Sequence, residues 1–275
     1  MKKSKLFIIG GITIIILALL CFLAPLYIQW DPEEANLLAR LTPPEWFKNG
    51  LGGHILGTDA LGRDILARLL YGGRTSLVLA VVVVLISTAI GVVLGVVSGY
   101  FGGLTDAVIM RLCDIMASIP SLLLAVCIVA VLGSSMVHLA FVLIITSWVV
   151  TARVSRGNVF SIMSSDYVKA SKVIGASNLR IMVKEVLPNI VTPVIITSTQ
   201  HLGGVVLNET SLSFLGMGVP LPAPSWGTMI SDGREYIASA PWVVIVPGIA
   251  LMITVLAFDF LGDGLTDIIN PRNTD

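Results

Sequence analysis

Six apolar stretches, each near the length of a bilayer crossing, constrain this chain more than any other feature. They lie at residues 6–28, 75–98, 115–132, 139–152, 190–207 and 242–258. About 20 apolar residues in a helix cross the hydrocarbon core. Inside lipid the backbone must satisfy its own hydrogen bonds, which a helix does within each segment. The expected fold class is therefore all-α integral membrane protein with six transmembrane helices. A chain of 275 residues that is 55% hydrophobic and 12% charged is no water-soluble domain. The fourth stretch is short and is expected to extend back through Met136. Pro120 and Pro247 fall inside spans and predict local kinks.

The first stretch follows Lys2, Lys3 and Lys5 and is long for the core of a cleaved secretory signal. Pro25 disfavours cleavage after Ala24, and Leu20 before Cys21 disfavours a lipoprotein site. The reading is an uncleaved signal anchor over 1–28. An outer loop with a surface or gating helix follows over 29–74. A five-helix core then fills 75–275, with a cytoplasmic loop at 153–189. Six crossings put both termini on one side. With the N-terminus inside, the inner segments hold Lys2, Lys3, Lys5, Arg111, Arg153, Arg156, Lys169, Lys172, Arg180, Lys184 and Arg272. The outer ones hold Arg40, Lys48, Arg63, Arg68, Arg74 and Arg234, so the basic bias favours that orientation.

Residues 167–189 form a polar, basic island between two spans. Asp166 is placed to cap a first helix and Ser177 a second. Ala170, Ser171 and Ile174 fall on one face of the first. Gly175 permits the turn between the two helices. Pro188 marks the entry to the next span, where its missing N–H costs least. This island resembles the EAA loop of ABC-transporter permeases, whose pattern is Glu-Ala-Ala, three residues, Gly, nine residues, a hydrophobic residue, any residue, then Leu-Pro. The matching positions are Lys169, Ala170, Ser171, Gly175, Glu185, Leu187 and Pro188. Spacing is intact, while Lys169, Ser171 and Glu185 depart in identity.

Other stretches resemble the peptide/nickel branch of the same family. They are Gly57, Asp59, Gly62, Arg63 and Asp64 within residues 54–77, then Gly102, Gly103, Asp106, Arg111 and Asp114, with Ile119 and Pro120 in the next span. Asn208, Glu209 and Ser211 to Gly216 match another of its motifs. The ending at Leu261, Gly262, Asp263, Leu265, Asp267, Pro271 and Arg272 matches too, with Asp259 and Thr266 as departures. The matches cover residues 54–272. The resemblance implies the type I ABC importer (MetI-like) permease fold in a bacterial or archaeal cytoplasmic membrane, with both termini cytoplasmic. It implies four kinds of neighbour: a homologous second permease, two ATP-binding subunits (identical or different), an extracytoplasmic substrate-binding protein and the lipid bilayer. ATP and Mg would sit in the partner subunits. This chain would carry no cofactor, no metal and no catalytic residue, and nothing suggests nucleic acid. The implied cargo is a di- or oligopeptide, with nickel or a metal-chelate complex as the alternative.

The residues themselves allow further expectations. Ile65, Leu66, Leu69 and Leu70 recur at helical spacing, which suits a helix on the membrane surface or over a pore mouth. Gly57 and Gly62 mimic a phosphate loop only loosely. Arg63 and Asp64 follow instead of Lys and Ser or Thr, so ATP binding here is discarded. The prolines of 219–224 form a stiff outer turn that could contact a binding protein or merely connect. Ser87, Gly91, Gly95, Gly99 and Gly103 recur every four residues, a smooth ridge for close helix approach within the chain or between subunits. Gln200, His201, Asn208 and Glu209 are candidates for a translocation path, because polar groups in a bilayer face a cavity or another helix. Asp259, Asp263 and Asp267 suggest ion pairs with Arg111 or Arg153, or less readily a proton relay. Cys21, Cys113 and Cys127, like His54, His138 and His201, show no ligand spacing.

The competing function classes are a self-contained secondary transporter and a membrane enzyme. Against the first stand few charges within the spans and no evident repeat. Against the second stand the missing HExxH and serines without a base partner.

Overall fold

The structure is a computed structural model that describes residues 5–23, 26, 31–45 and 53–269. Lys2, Lys3, Pro25, Lys48, Pro271 and Arg272 lie outside the described residues. Ten α-helices are present among those described: α1 (Lys5–Leu23), α2 (Ile65–Phe101), α3 (Gly103–Ser118), α4 (Ser121–Leu132), α5 (Met136–Met163), α6 (Asp166–Val173), α7 (Asn178–Ile181), α8 (Leu187–Phe214), α9 (Trp226–Gly233) and α10 (Trp242–Ile269). A π-turn, Met182–Val186, joins α7 to α8.

Among the described residues five helical stretches are long and apolar enough to cross a membrane: α1, α2, α5, the run from α7 through α8, and α10. The expected third span is different. It is broken into α3 and α4, which meet at 86°. Pro120 explains the break. It supplies no N–H to continue α3, and it pushes Ile119 into extended backbone (φ −102°, ψ 128°). At Pro247, by contrast, α10 continues unbroken.

Packing shows how the chain runs. Beta-carbons added at Gly91, Gly95 and Gly99 would collide with Thr151, Ser155 and Val159 respectively. The glycine ridge therefore packs within the chain, against α5, and the rising numbers on both sides make α2 and α5 parallel. The α3–α4 pair must return the chain between them. Ser76 meets Glu209 and Thr88 meets Ser198, so α8 is antiparallel to α2. A β-carbon at Gly10 would strike the Ala257 carbonyl, and one at Gly264 would strike Phe7. Hence α1 lies antiparallel on α10, with Lys5 and Ile269 at one end of the bundle. That end also holds α6, α7 and the close of α2.

The expected surface helix after residue 64 does not exist as a separate element. Residues 65–74 are the opening turns of α2, continuous with the second span. Their apolar residues face protein: Ile65, Ala67 and Leu70 are buried. Gly72 and Gly73 do not break the helix, because they admit neighbours. Added β-carbons would meet Ser225 at 3.2 Å and the Trp226 ring at 2.7 Å. The Trp226 indole N–H donates to the Leu69 carbonyl at 2.9 Å. The fourth long helix does begin at Met136, capped by Ser135, whose hydroxyl accepts from the His138 N–H at 3.0 Å. Many apolar side chains of the spans point outward, Ile12, Ile15, Ile16, Leu85 and Val93 among them, as lipid contact requires.

Candidate functional site

At one end of the bundle, α6 and α7 form a hairpin around Gly175, whose φ of +85° suits a residue without a β-carbon. Asp166 does not cap α6. It is the first helical residue, and Ser165 occupies the cap position without a side-chain cap bond. A carboxylate there still favours the helix's positive end, and it pairs with Lys169 at 3.3 Å. Ser177 does cap α7, accepting from the Arg180 N–H. Pro188 stands in the first turn of α8, after the π-turn in which the Leu187 N–H reaches back five residues to the Met182 carbonyl. Val168, Ile181 and Val186 are buried with Val96, Val159 and Ile190, which anchors the segment to the bundle. Its other face is open. Val173, Ile174 and Leu179 are 88%, 85% and 69% exposed, and Lys169 and Ala170 are exposed beside them. Ser171 and Glu185 are half-buried.

At the opposite end, residues 54–68 tie themselves into a buried polar knot. Asp59 accepts from the backbone N–H of Leu61 at 2.8 Å and of Arg63 at 3.0 Å, and from Arg63 Nε at 2.7 Å. Asp64 caps α2 by accepting from the Ala67 N–H at 2.7 Å, and its other oxygen meets His54 Nδ1 at 2.8 Å. Gly57 and Gly62 have φ near +80° and +75°. A β-carbon on Gly62 would lie 1.7 Å from the Asn36 carbonyl oxygen. Arg68 is fully buried, 3.5 Å from Asp59 and 3.7 Å from Asp232 of α9. Burial raises the Asp232 carboxyl above the usual carboxylate range, against the opposing pull of Arg68 and Arg63. The expected gate motif is thus turned inward, with Asp59, Arg63 and Asp64 all buried. It clamps the start of α2 to α9.

The four candidate path residues do not share one surface. Gln200 is exposed and donates to Asp263 at 3.1 Å. His201 is half-buried, and its Nε2 makes no hydrogen bond. Asn208 lines a small cavity with Thr146 and Ser121. Glu209 is 1% exposed. It accepts from Ser213 at 2.7 Å, Ser225 at 2.9 Å and Ser76 at 3.4 Å. Glu209 therefore joins α2, α8 and the start of α9 and faces no open surface in this structure. The expected ion pairs are also redistributed. Arg153 meets Asp114 at 2.8 Å, leaving Asp263 to Gln200. Arg156 grips both oxygens of Asp106, tying α3 to α5.

The model of the binding-protein-dependent transport system inner membrane component family matches residues 91–275. The chain belongs to this family. A model of the N-terminal TM domain of oligopeptide transport permease C matches residues 1–44. The chain is 41% identical over 271 residues to the dipeptide transport system permease protein of Haemophilus influenzae, covering 98% of this chain and 92% of the relative. It is 36% identical to the oligopeptide transport system permease protein of Bacillus subtilis, covering 98% and 87%. Among solved structures, the inward-facing MetNI methionine ABC transporter superposes with a TM-score of 0.60 at 20% identity, covering 74% of this chain and 96% of that one. The fold is that of the MetI-type importer permeases. As a member of this family the chain is a transport subunit and not an enzyme, since ATP hydrolysis belongs to separate subunits.

Several residues that shape this transport subunit escaped the sequence reading. His54 pairs with Asp64 across ten residues of loop, and Asp232 reaches the knot from α9. Ser76 of α2 and Ser225 before α9 reach Glu209 from other stretches, beside Ser213 one turn along α8. One signal was available for Arg68, since an arginine set between Ala67 and Leu69 in an apolar helical run calls for a buried partner. Among the described residues no group of three or more His, Cys, Asp or Glu is arranged to hold a metal.

Proposed function

We propose that this chain is one of two homologous permease subunits of an ATP-driven peptide importer. The observation that carries the reading is the 41% identity to a dipeptide permease along 98% of the chain. In this reading α1, α2, the α3–α4 pair, α5, α8 and α10 make six crossings, with Lys5 and Ile269 on the cytoplasmic side. The hairpin of α6 and α7 then faces the cytoplasm. Its exposed Val173, Ile174 and Leu179 dock an ATP-binding subunit that holds ATP and Mg. An apolar patch on a polar segment outside the spans suits protein contact better than lipid. The knot end faces outward, where a substrate-binding protein delivers di- or oligopeptides. Lys169, Ala170, Ser171, Gly175, Glu185, Leu187 and Pro188 couple hydrolysis to movement of the spans. Gln200, His201 and Asn208 are the candidates for contact with the path.

Two measurements test this. Mild-detergent purification of the tagged chain should bring down a second permease and ATPase subunits. A clean homomer, under conditions that preserve a known ABC complex, would sink the assembly. Uptake of a labelled dipeptide by proteoliposomes containing the full complex and its binding protein should depend on ATP. Uptake of nickel without any peptide uptake would overturn the cargo.

A further inference from the structure

If the exposed hairpin moves, its movement must enter the bundle at a defined place. Tyr100 stands one residue before the end of α2 and is half-buried. Its hydroxyl donates to Asn178 Oδ1 at 2.8 Å, at the first residue of α7. Lys172 Nζ lies 5.3 Å from the centre of its ring, so the last turn of α6 rests on it too. The ring also packs against the apolar cluster of Val96, Val159, Val168, Ile181 and Val186. One side chain thus touches both arms of the hairpin, on either side of the Gly175 joint.

Beyond Tyr100, α2 offers little to absorb a push. It runs unbroken for 37 residues, about 55 Å at the α-helical rise. Its near half is locked against α5 by the glycine ridge, and its far end is held by the Asp64 cap and the buried Arg68. A displacement at Tyr100 is therefore passed along α2 with α5 attached. We infer that Tyr100 is the positioning residue through which the 166–186 segment drives α2. This inference rests on the docking role proposed above.

The test uses the full complex with its second permease, ATPases and binding protein. Tyr100→Phe removes the bond to Asn178, and Tyr100→Leu removes the ring as well. Both variants should retain the ATPase subunits on purification. Stimulation of ATP hydrolysis by loaded binding protein, and peptide taken up per ATP, should fall about threefold in Tyr100→Phe and about tenfold in Tyr100→Leu. A merely structural tyrosine would lower the yield of complex without changing uptake per ATP. Unchanged stimulation and uptake per ATP in Tyr100→Leu would overturn the inference. So would loss of the ATPases from that variant, which would make Tyr100 a static anchor. Should Tyr100→Leu fail to fold, Tyr100→Phe and Asn178→Ala decide. They remove the same bond from its two sides and must give matching losses, and wild-type behaviour in both overturns the proposal. Failure of the docking role itself is separately visible, because Ile174→Asp would then leave the ATPases bound.

Discussion

The two ends of the bundle use polar residues in opposite ways. At the knot, Asp59, Arg63, Asp64 and Arg68 turn inward, Asp59 onto Arg63 and Arg68 and Asp64 onto His54 and the Ala67 N–H, and the loop around them leaves no room for an added β-carbon at Gly62. In the 166–186 segment, Lys169, Ala170, Val173 and Ile174 turn outward, and the space around Gly175 is empty. Each end carries a left-handed glycine and a motif of charged and small residues, so sequence pattern alone makes them look alike. The difference lies in what each motif faces. A polar group that faces its own chain fixes a structure, and an apolar group that faces water outside the spans awaits a partner.

Substitutions can break or sharpen that contrast. Asp59→Ala should have the largest effect. It strips the acceptor from two backbone N–H groups and from Arg63 Nε, and leaves two buried guanidiniums facing a void. Loss of one partner from a buried pair costs about 3–5 kcal/mol, to be read as a collapse in folded yield and in the thermal midpoint in detergent. Gly62→Ala should follow at about 3 kcal/mol, because left-handed strain adds to a clash with the Asn36 carbonyl. Gly175→Ala has a similar φ but open space, so only the strain of about 1 kcal/mol should appear. If the two glycine variants lost equal stability, the contrast between a packed and an open end would fail. Ile174→Asp should shift stability by less than about 0.5 kcal/mol while the co-purifying ATPase drops severalfold. Lys169→Ala should be the mildest in stability and assembly, with neither midpoint nor complex changing, since its ion pair with Asp166 is solvent-exposed.

Much of this fold was legible in the sequence, because lipid turns apolar length directly into helices. All six apolar stretches are helical where described, apart from the break at Ile119 and Pro120, the short fourth one extends back to Met136, and Ser177 and Pro188 take the places that capping and proline chemistry assign them. The third stretch kinks at Pro120 as expected, but the size of the kink was not legible, because hydropathy counts apolar residues and cannot see an 86° turn. The supposed surface helix went wrong for a related reason. Its apolar periodicity is real, but periodicity does not say whether the opposing surface is lipid or the chain's own α9. Glu209 shows the same blindness: a carboxyl in a span reads as a path group until Ser76 and Ser225, from other elements, are found around it. Long-range partners such as Asp232 for Arg68 leave no local trace. The Gln200–Asp263 and Arg153–Asp114 pairings likewise depend on which helices become neighbours.

The π-turn before Pro188 sets a phase. A turn closed over five residues instead of four holds one residue more than an α-turn, and each residue of a helix accounts for about 100° of rotation. The direction in which Leu179 and Arg180 look out from the bundle is therefore wound in by that one surplus residue, as a key is cut to one tooth. A single-residue deletion within 182–186 would let the backbone close as an ordinary helix, but it would draw Ile181 out of its buried seat and Asn178 away from Tyr100. It would also rotate the α7 arm by about a quarter-turn away from its present heading. The surplus residue thus serves two ends at once, seating Ile181 in the bundle and turning Leu179 out of it.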